Sequence, residues 1–291
     1  MVPMGIKKKG IVRINFWNGF GNNMFQYVFC RLFAKKHGLT LSHKKGLPIG
    51  IKPKPVAFPK GVPIKVIKKT RRSDTGIWNK YLEDEYTNKK SYVISGYFED
   101  YTLYKPYLNK IRSWFSTVEK TNFKDLVVHI RLGDRLLCET SHGDFVSVDS
   151  YKEAIEKFNF DRLYIVTDSK KWTKYTKKDI KKLHSSTHRK SMKREKSKMV
   201  STDRSLEYVN SLIEGLSCYD PILQNSDLIN DFNFIRLFDN ILIHNSTFAW
   251  WAAVLSKATR VGVYGPWKQS KGDSKNKNLG QADYPGWFSW K

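Results

Sequence analysis

Asp125-Leu-Val-Val-His-Ile-Arg-Leu-Gly-Asp134 reads as a buried strand running into a loop, because Val127, Val128 and Ile130 are β-branched and Gly133-Asp134 closes the apolar run. Residues two apart in a strand project to one face, so the imidazole of His129 and the guanidinium of Arg131 point together beyond the strand end. Open α/β sheets bind ligands there. Arg131 offers a planar, permanently charged fork suited to a phosphate or diphosphate, and His129 adds a neutral or charged donor according to its pKa. The plain alternative is a buried strand ending in two solvated or salt-bridged polar residues, and His-x-Arg alone does not decide between them.

Downstream, Asp149-Ser-Tyr-Lys-Glu153 starts a helix with a capping residue, and Leu163 to Val166 is another buried strand, ending at Thr167-Asp168. Asp168 also reads as an N-cap for a helix near Lys171. From Lys177 to Lys198 basic residues crowd together with few apolar ones, predicting a mobile surface loop, before helical material resumes around Leu206 to Leu216. Phe232 to Phe238 gives an amphipathic turn or two of helix and Asn240 to Ile243 a buried strand. Asn245-Ser-Thr-Phe248 then opens the helix Ala249 to Leu255, with Ser246 or Thr247 as N-cap and exposed amides forming an anion site; simple capping, with Trp250 and Trp251 as core, is the alternative. The Asn-Ser-Thr sequon there is a chance match at a strand-to-helix junction. Arg260 to Tyr264 is read as the last strand, and Tyr284 to Trp290 as an aromatic tail packing back onto the body.

Upstream, Ile11 to Phe16 forms a first buried strand, Trp17 to Asn23 a turn holding Gly19 and Gly21, and Met24, Phe25, Tyr27, Val28, Leu32 and Phe33 one face of a helix closing on His37-Gly38. Such a glycine loop lets a backbone approach a ligand, but it fits neither GxGxxG nor GxxxxGK[ST], and on the residues alone a tight turn with glycines at positive φ is the better reading. Residues 44–72 read as extended loop with short strands, Tyr92 to Glu99 as strand and turn, and Tyr104 through Phe115 as a helix.

The chain has 291 residues, 40% of them hydrophobic, with 9 Trp, 15 Tyr and 17 Phe, which predicts a folded protein of one large or two ordinary domains. Its net charge of +25 attracts polyanions, anionic surfaces or phosphorylated substrates without choosing among them. The basic segment lacks the interleaved aromatics of a single-strand binder, which argues against nucleic acid as partner. Three separated cysteines, Cys30, Cys138 and Cys218, suggest neither a disulfide framework nor a zinc site. No run approaches the roughly 20 apolar residues that span a bilayer. A cytoplasmic location follows as an expectation, with peripheral contact to an anionic surface left open.

Three blocks, Trp17-Asn-Gly-Phe-Gly-Asn-Asn-Met-Phe-Gln26, His129-Ile-Arg-Leu-Gly-Asp134 and His244-Asn-Ser-Thr-Phe-Ala-Trp-Trp-Ala-Ala253, resemble in order the signatures of glycosyltransferase family 11, the α-1,2-fucosyltransferases. Asn23 stands where the family usually has Gln, Glu99 where Gly-Tyr-Phe-Gln is common, and Leu132 where Arg is frequent. The resemblance implies an α/β, GT-B-like architecture of two Rossmann-like domains facing a cleft: residues 1–118 on the acceptor side, and 119–291 binding GDP-fucose, with a basic insertion at about 177–204. It implies an inverting, metal-independent transfer of L-fucose from GDP-β-L-fucose to a sugar hydroxyl, with the 2-OH of a galactose-like residue in an oligosaccharide as acceptor and no cofactor. Catalytic roles fall to Arg131, His129 and Asp134. Gly19, Gly21, Asn22, Asp168, Asn245, Ser246, Thr247 and Phe248 fall to nucleotide-sugar binding, Asp168 as an acceptor for a guanine ring. Glu99 and Asp100 are rivals of Asp134 for the base or for acceptor contacts. The alternatives are a GDP-fucose-dependent enzyme with another acceptor, a catalytically dead sugar-nucleotide-binding relative, and a basic nucleic-acid-binding protein.

Overall fold

The computed structural model describes residues 9–69, 78–136, 138–139, 145–169, 171–186, 198–265 and 282–290. The chain divides into two compact α/β units, Met1–Ser116 and Thr117–Lys291.

Unit 1 is built on a parallel four-stranded sheet, ordered β2 (Thr40–Ser42), β1 (Ile11–Ile14), β4 (Ser91–Gly96), β3 (Ile64–Lys69). Between β1 and β2 runs α1 (Phe20–Lys36), apolar on nearly every side from Met24 to Ala34 and buried accordingly. Its end carries the stop expected from His37-Gly38. Gly38 sits at φ +63, and the Leu39 amide reaches back to the Ala34 carbonyl at 2.8 Å, a Schellman closure that only a residue free of Cβ strain adopts at no cost. The remaining helices are short: α2 (Trp78–Glu83), then a 3₁₀ turn (Tyr101–Tyr107) flowing into α3 (Leu108–Arg112) where one continuous α-helix is expected. Pro106 lies inside that turn and supplies no backbone N–H, which favours the 3₁₀ form there. The core is aromatic. Phe29 stacks on Phe98 with ring centroids 4.3 Å apart, and Trp78 lies 4.1 Å from Phe98.

Unit 2 holds a six-stranded parallel sheet: β12 (Trp287–Trp290), β11 (Arg260–Tyr264), β10 (Phe238–Ile243), β5 (Asn122–Ile130), β7 (Leu163–Thr167), β9 (Ile222–Gln224). Numbered by appearance in the chain, these strands stand in the order 3-2-1-4-5-6 of a doubly wound dinucleotide fold, with β5 first and β10 fourth. β6 (Cys138–Glu139) and β8 (Lys198–Met199) form a separate antiparallel pair. β5 is buried on both faces from Asp125 to Ile130, as a central strand covered by helices must be. The helices are α4 (Val148–Ile155), capped by Ser147, then α5 (Lys177–Ser186), α6 (Thr202–Leu216), α7 (Leu228–Ile235) and α8 (Thr247–Leu255).

Two expectations are corrected here. The segment opening at Lys177 is helix, not loop, as far as Ser186. Ile180 is buried in the core, Leu183 packs against it, and Thr176 and Asp179 cap the first turn reciprocally, the Asp179 carboxylate accepting from the Thr176 amide at 2.8 Å. Residues 187–197 of the predicted loop lie outside the described residues. The last strand is not β11 but β12, inside the stretch read as a tail. It adds parallel to β11, with Val261 opposite Trp287 and Tyr264 opposite Trp290. No helix among the described residues is long and apolar enough to cross a membrane.

Candidate active site

The reversal of strand order in unit 2 falls between β5 and β10, and sheets of this topology take their ligands at the carboxyl ends of the two strands that flank the reversal. Pairing in register sets Ile243 beside His129, so the residues after each strand share that end of the sheet. β5 stops at Ile130, which places Arg131 just past the strand, half-buried. His129 is only 5% exposed. Burial, reinforced by the neighbouring Arg131 charge, pushes its pKa down to about 3, so the imidazole is neutral at physiological pH. Its Nδ1 is buried with no hydrogen-bond partner among the described residues. Of the two protonation states open in the sequence, the structure selects the neutral one.

From the other side come His244, Asn245 and Ser246, all buried, leading into α8. Ser246 is the N-cap, its backbone extended at φ −146 and its Oγ accepting from the Ala249 amide at 3.4 Å. Thr247 and Phe248 are half-buried in the first turn, and the Phe248 ring lies 5.8 Å from the imidazole of His129. An arginine, a neutral histidine and a helix N-terminus with its positive dipole end therefore meet at the end of two adjacent strands. Trp250 and Trp251 are fully buried.

Asp168, at the end of β7, ties two strand ends together. Its Oδ1 accepts from the backbone amides of Leu132 at 2.7 Å and Gly133 at 3.0 Å, fixing the loop that follows Arg131. The N-cap reading near Lys171 does not hold, since the next helix starts at Lys177. A Cβ on Gly133 would lie 2.3 Å from Asp168 Oδ2, so only glycine lets the loop and the carboxylate come this close. Asp134 lies in the 3₁₀ turn Gly133–Leu136, and its side chain falls outside the described residues.

Unit 1 has a comparable strand-end surface. β1 and β4 are neighbours, and the residues after them, Trp17 and Tyr97, meet edge to face with ring centroids 4.5 Å apart. The expected pair of positive-φ glycines is not found. Asn18 takes the left-handed conformation at φ 65, whereas Gly19 is extended at φ −74 as N-cap of α1, and Gly21 is buried in its first turn. Asn23 and Gln26 hold the turn: Asn23 Nδ2 donates to the Trp17 carbonyl at 2.7 Å, and the Trp17 amide donates to Gln26 Oε1 at 3.2 Å. Space around the Gly19 Cα is open, and Asn22 on the first turn is half-buried. At the end of β4, Phe98 is strained at φ 56, Glu99 is buried, and Asp100 accepts from Thr102 Oγ1 at 2.7 Å while preceding the 3₁₀ turn. The roles of Asn18, Asn23 and Gln26 escape a sequence reading that looks to glycine for positive φ, although Asn is the commonest substitute.

Thus His129, Arg131, Asp168 and Asn245 to Phe248 gather at one end of unit 2, and Gly19, Gly21, Asn22, Glu99 and Asp100 at one end of unit 1. No group of three or more His, Cys, Asp or Glu residues among the described residues could hold a metal ion.

No family model matches the chain, and no curated protein matches it by sequence. Among solved structures, it is similar to an Arabidopsis thaliana FUT1 mutant in complex with GDP, at 12% identity over 94% of this chain and 74% of that one, with a TM-score of 0.46. It is also similar to NodZ α-1,6-fucosyltransferase soaked with GDP-fucose, at 12% identity over 87% and 94% with a TM-score of 0.40, and to fucosyltransferase NodZ from Bradyrhizobium, at 11% over 87% and 96% with 0.39. All three scores lie below 0.5, and the functional reading rests on this chain's own residues.

Proposed function

We propose that this chain is an inverting glycosyltransferase that moves L-fucose from GDP-β-L-fucose to a sugar hydroxyl, the favoured acceptor being the 2-OH of a galactose-like residue in a glycan. The observation that carries this is the strand-order reversal of unit 2, where Arg131 and neutral His129 share one end of the sheet with the N-terminus of α8. Such a site fits a diphosphate. The sugar identity comes from the three sequence blocks.

In the reaction, the bond between fucose C1 and the β-phosphate oxygen breaks and its electron pair stays on the diphosphate. The acceptor oxygen bonds to C1 from the opposite face and gives up its proton. Charge growing on GDP is what needs stabilising, and here the stabilisers are the Arg131 guanidinium and the amides opening α8, with Ser246, Thr247 and Phe248 shaping the loop. The unpartnered Nδ1 of His129 is a buried polar atom that a ligand would satisfy. Asp168 rigidifies the Leu132-Gly133 backbone, and its exposed carboxylate remains able to face a guanine ring. Gly19, Gly21 and Asn22 keep the nucleotide-sugar role that the sequence blocks imply, and Glu99 and Asp100 compete with Asp134 for the base or for acceptor contacts.

The test is calorimetric titration with GDP, GDP-fucose and UDP-galactose in EDTA, with GDP release measured in the presence of lactose. Selective binding of the guanosine nucleotides and lactose-stimulated release that survives EDTA are expected. Arg131→Ala should remove about 2.7–4 kcal/mol of transition-state stabilisation, roughly 10²–10³ in kcat, with the circular dichroism unchanged. A folded, fully active Arg131→Ala would sink the assignment.

A further inference from the structure

A cavity of about 620 Å³ opens in unit 1 between α1, the edge strand β2 and the loop that follows it, and no residue assigned above to the donor or acceptor site lines it. Its walls carry the cations Lys9, Arg31, Lys35, Lys52 and Lys54 and no carboxylate. This follows from the local sequence, since no Asp or Glu precedes Asp74 in the chain. Among the described residues none of the five forms an ion pair with an acid.

Arg31 is held in place by its surroundings. Its Nη1 donates to Tyr27 Oη at 2.8 Å and its guanidinium lies 4.3 Å from the ring centre of Trp114, and both aromatic residues also line the cavity. A planar cation fixed this way loses little freedom when an anion arrives. Lys35 is crowded by another cation, Lys110, whose pKa is lowered chiefly by desolvation and then by the Lys35 charge. An arrangement that gathers like charges around a hollow is electrostatically unfavourable until counter-charge enters it.

We propose that this cavity binds a small ligand bearing clustered phosphate or sulfate oxyanions. The volume lies in the range of small-molecule sites, roughly 300–1,000 Å³. The lysines act as point charges toward the oxyanions, and Arg31, held between Tyr27 and Trp114, supplies a directed donor fork. The inference does not depend on the fucosyltransferase reading.

The test separates this site from the proposed diphosphate clamp by using the full chain with Arg131→Ala. Inorganic pyrophosphate and a trisulfated heparin disaccharide are titrated calorimetrically into it at several salt concentrations. At least one should bind with an affinity that falls as salt rises, the tighter of the two identifying a phosphate or a sulfate source. Adding Lys35→Gln, Lys52→Gln and Lys54→Gln, exposed positions whose change spares the fold, should weaken that binding by about tenfold or more, since each removes a charge-assisted contact. Arg31→Met should do the same. Failure of both probes to bind the Arg131→Ala chain, or binding unchanged by the lysine substitutions, would overturn the proposal.

Discussion

His129 shows how a residue's setting changes its chemistry. Its folded-state pKa of about 3 lies below the unfolded value near 6.5, so the unfolded chain binds a proton that the folded chain refuses. The stability contributed by neutrality is complete above pH 6.5 and declines as pH falls toward 3. Between pH 7.5 and 5.5 this histidine alone should cost about 1 kcal/mol. Urea denaturation of the parent and of His129→Asn at both pH values checks it, because subtraction removes the other titrating groups; identical pH dependence in the two proteins would contradict it. The sequence shows that His129 and Arg131 adjoin a buried strand. Burial deep enough to hold the imidazole neutral depends on α8 and Phe248, which arrive more than a hundred residues later. Asp168 is a similar case: a carboxylate at a strand end is legible, but its capture by the Leu132 and Gly133 amides requires β5 and β7 to be paired.

Among the helices of unit 2, α8 has the least redundancy at its start. No acidic side chain lies in its first turn, and the Ser246 hydroxyl is its side-chain cap. Ser246→Ala should destabilise the chain by about 1 kcal/mol in chemical denaturation and weaken GDP binding together with it, since the same amides are assigned to the diphosphate. An unaltered GDP affinity with lowered stability would confine Ser246 to capping. Long apolar elements such as β5, α1 and α8 are legible in sequence because their burial is nearly continuous. α5 is not, because eight-tenths of it is polar or charged and, among its described side chains, Ile180 and Leu183 are the apolar ones that reach the core. β12 is hidden for another reason: Trp287-Phe-Ser-Trp290 suits a strand in composition but is only 4 residues long, too short to show a period of its own, and it is its parallel pairing with β11 that identifies it.

At the level of the whole molecule, each unit has its own sheet and its own core. Residues 117–291, produced alone, should therefore unfold cooperatively in urea and retain GDP binding; a fragment without a cooperative transition would show that unit 1 is needed for its fold. The α/β class is readable from the alternation of apolar runs, whereas the sheet order is not, since nothing local states that β10 returns to lie beside β5. That return has a kinetic consequence. Val127 pairs with Ile241, 241 − 127 = 114 positions further along, so the two strands that flank the strand-order reversal meet only after a long loop closes. Loop closure of this length is an entropic toll met before any contact repays it, and parallel pairings of this kind fold slowly. Until β10 docks, one apolar edge of β5 stays open, and the exposed run Leu126-Val-Val128 is a template for pairing with another unfinished chain. The strand junction that gathers Arg131, His129 and Ser246 is thus also where refolding at high protein concentration should first go astray.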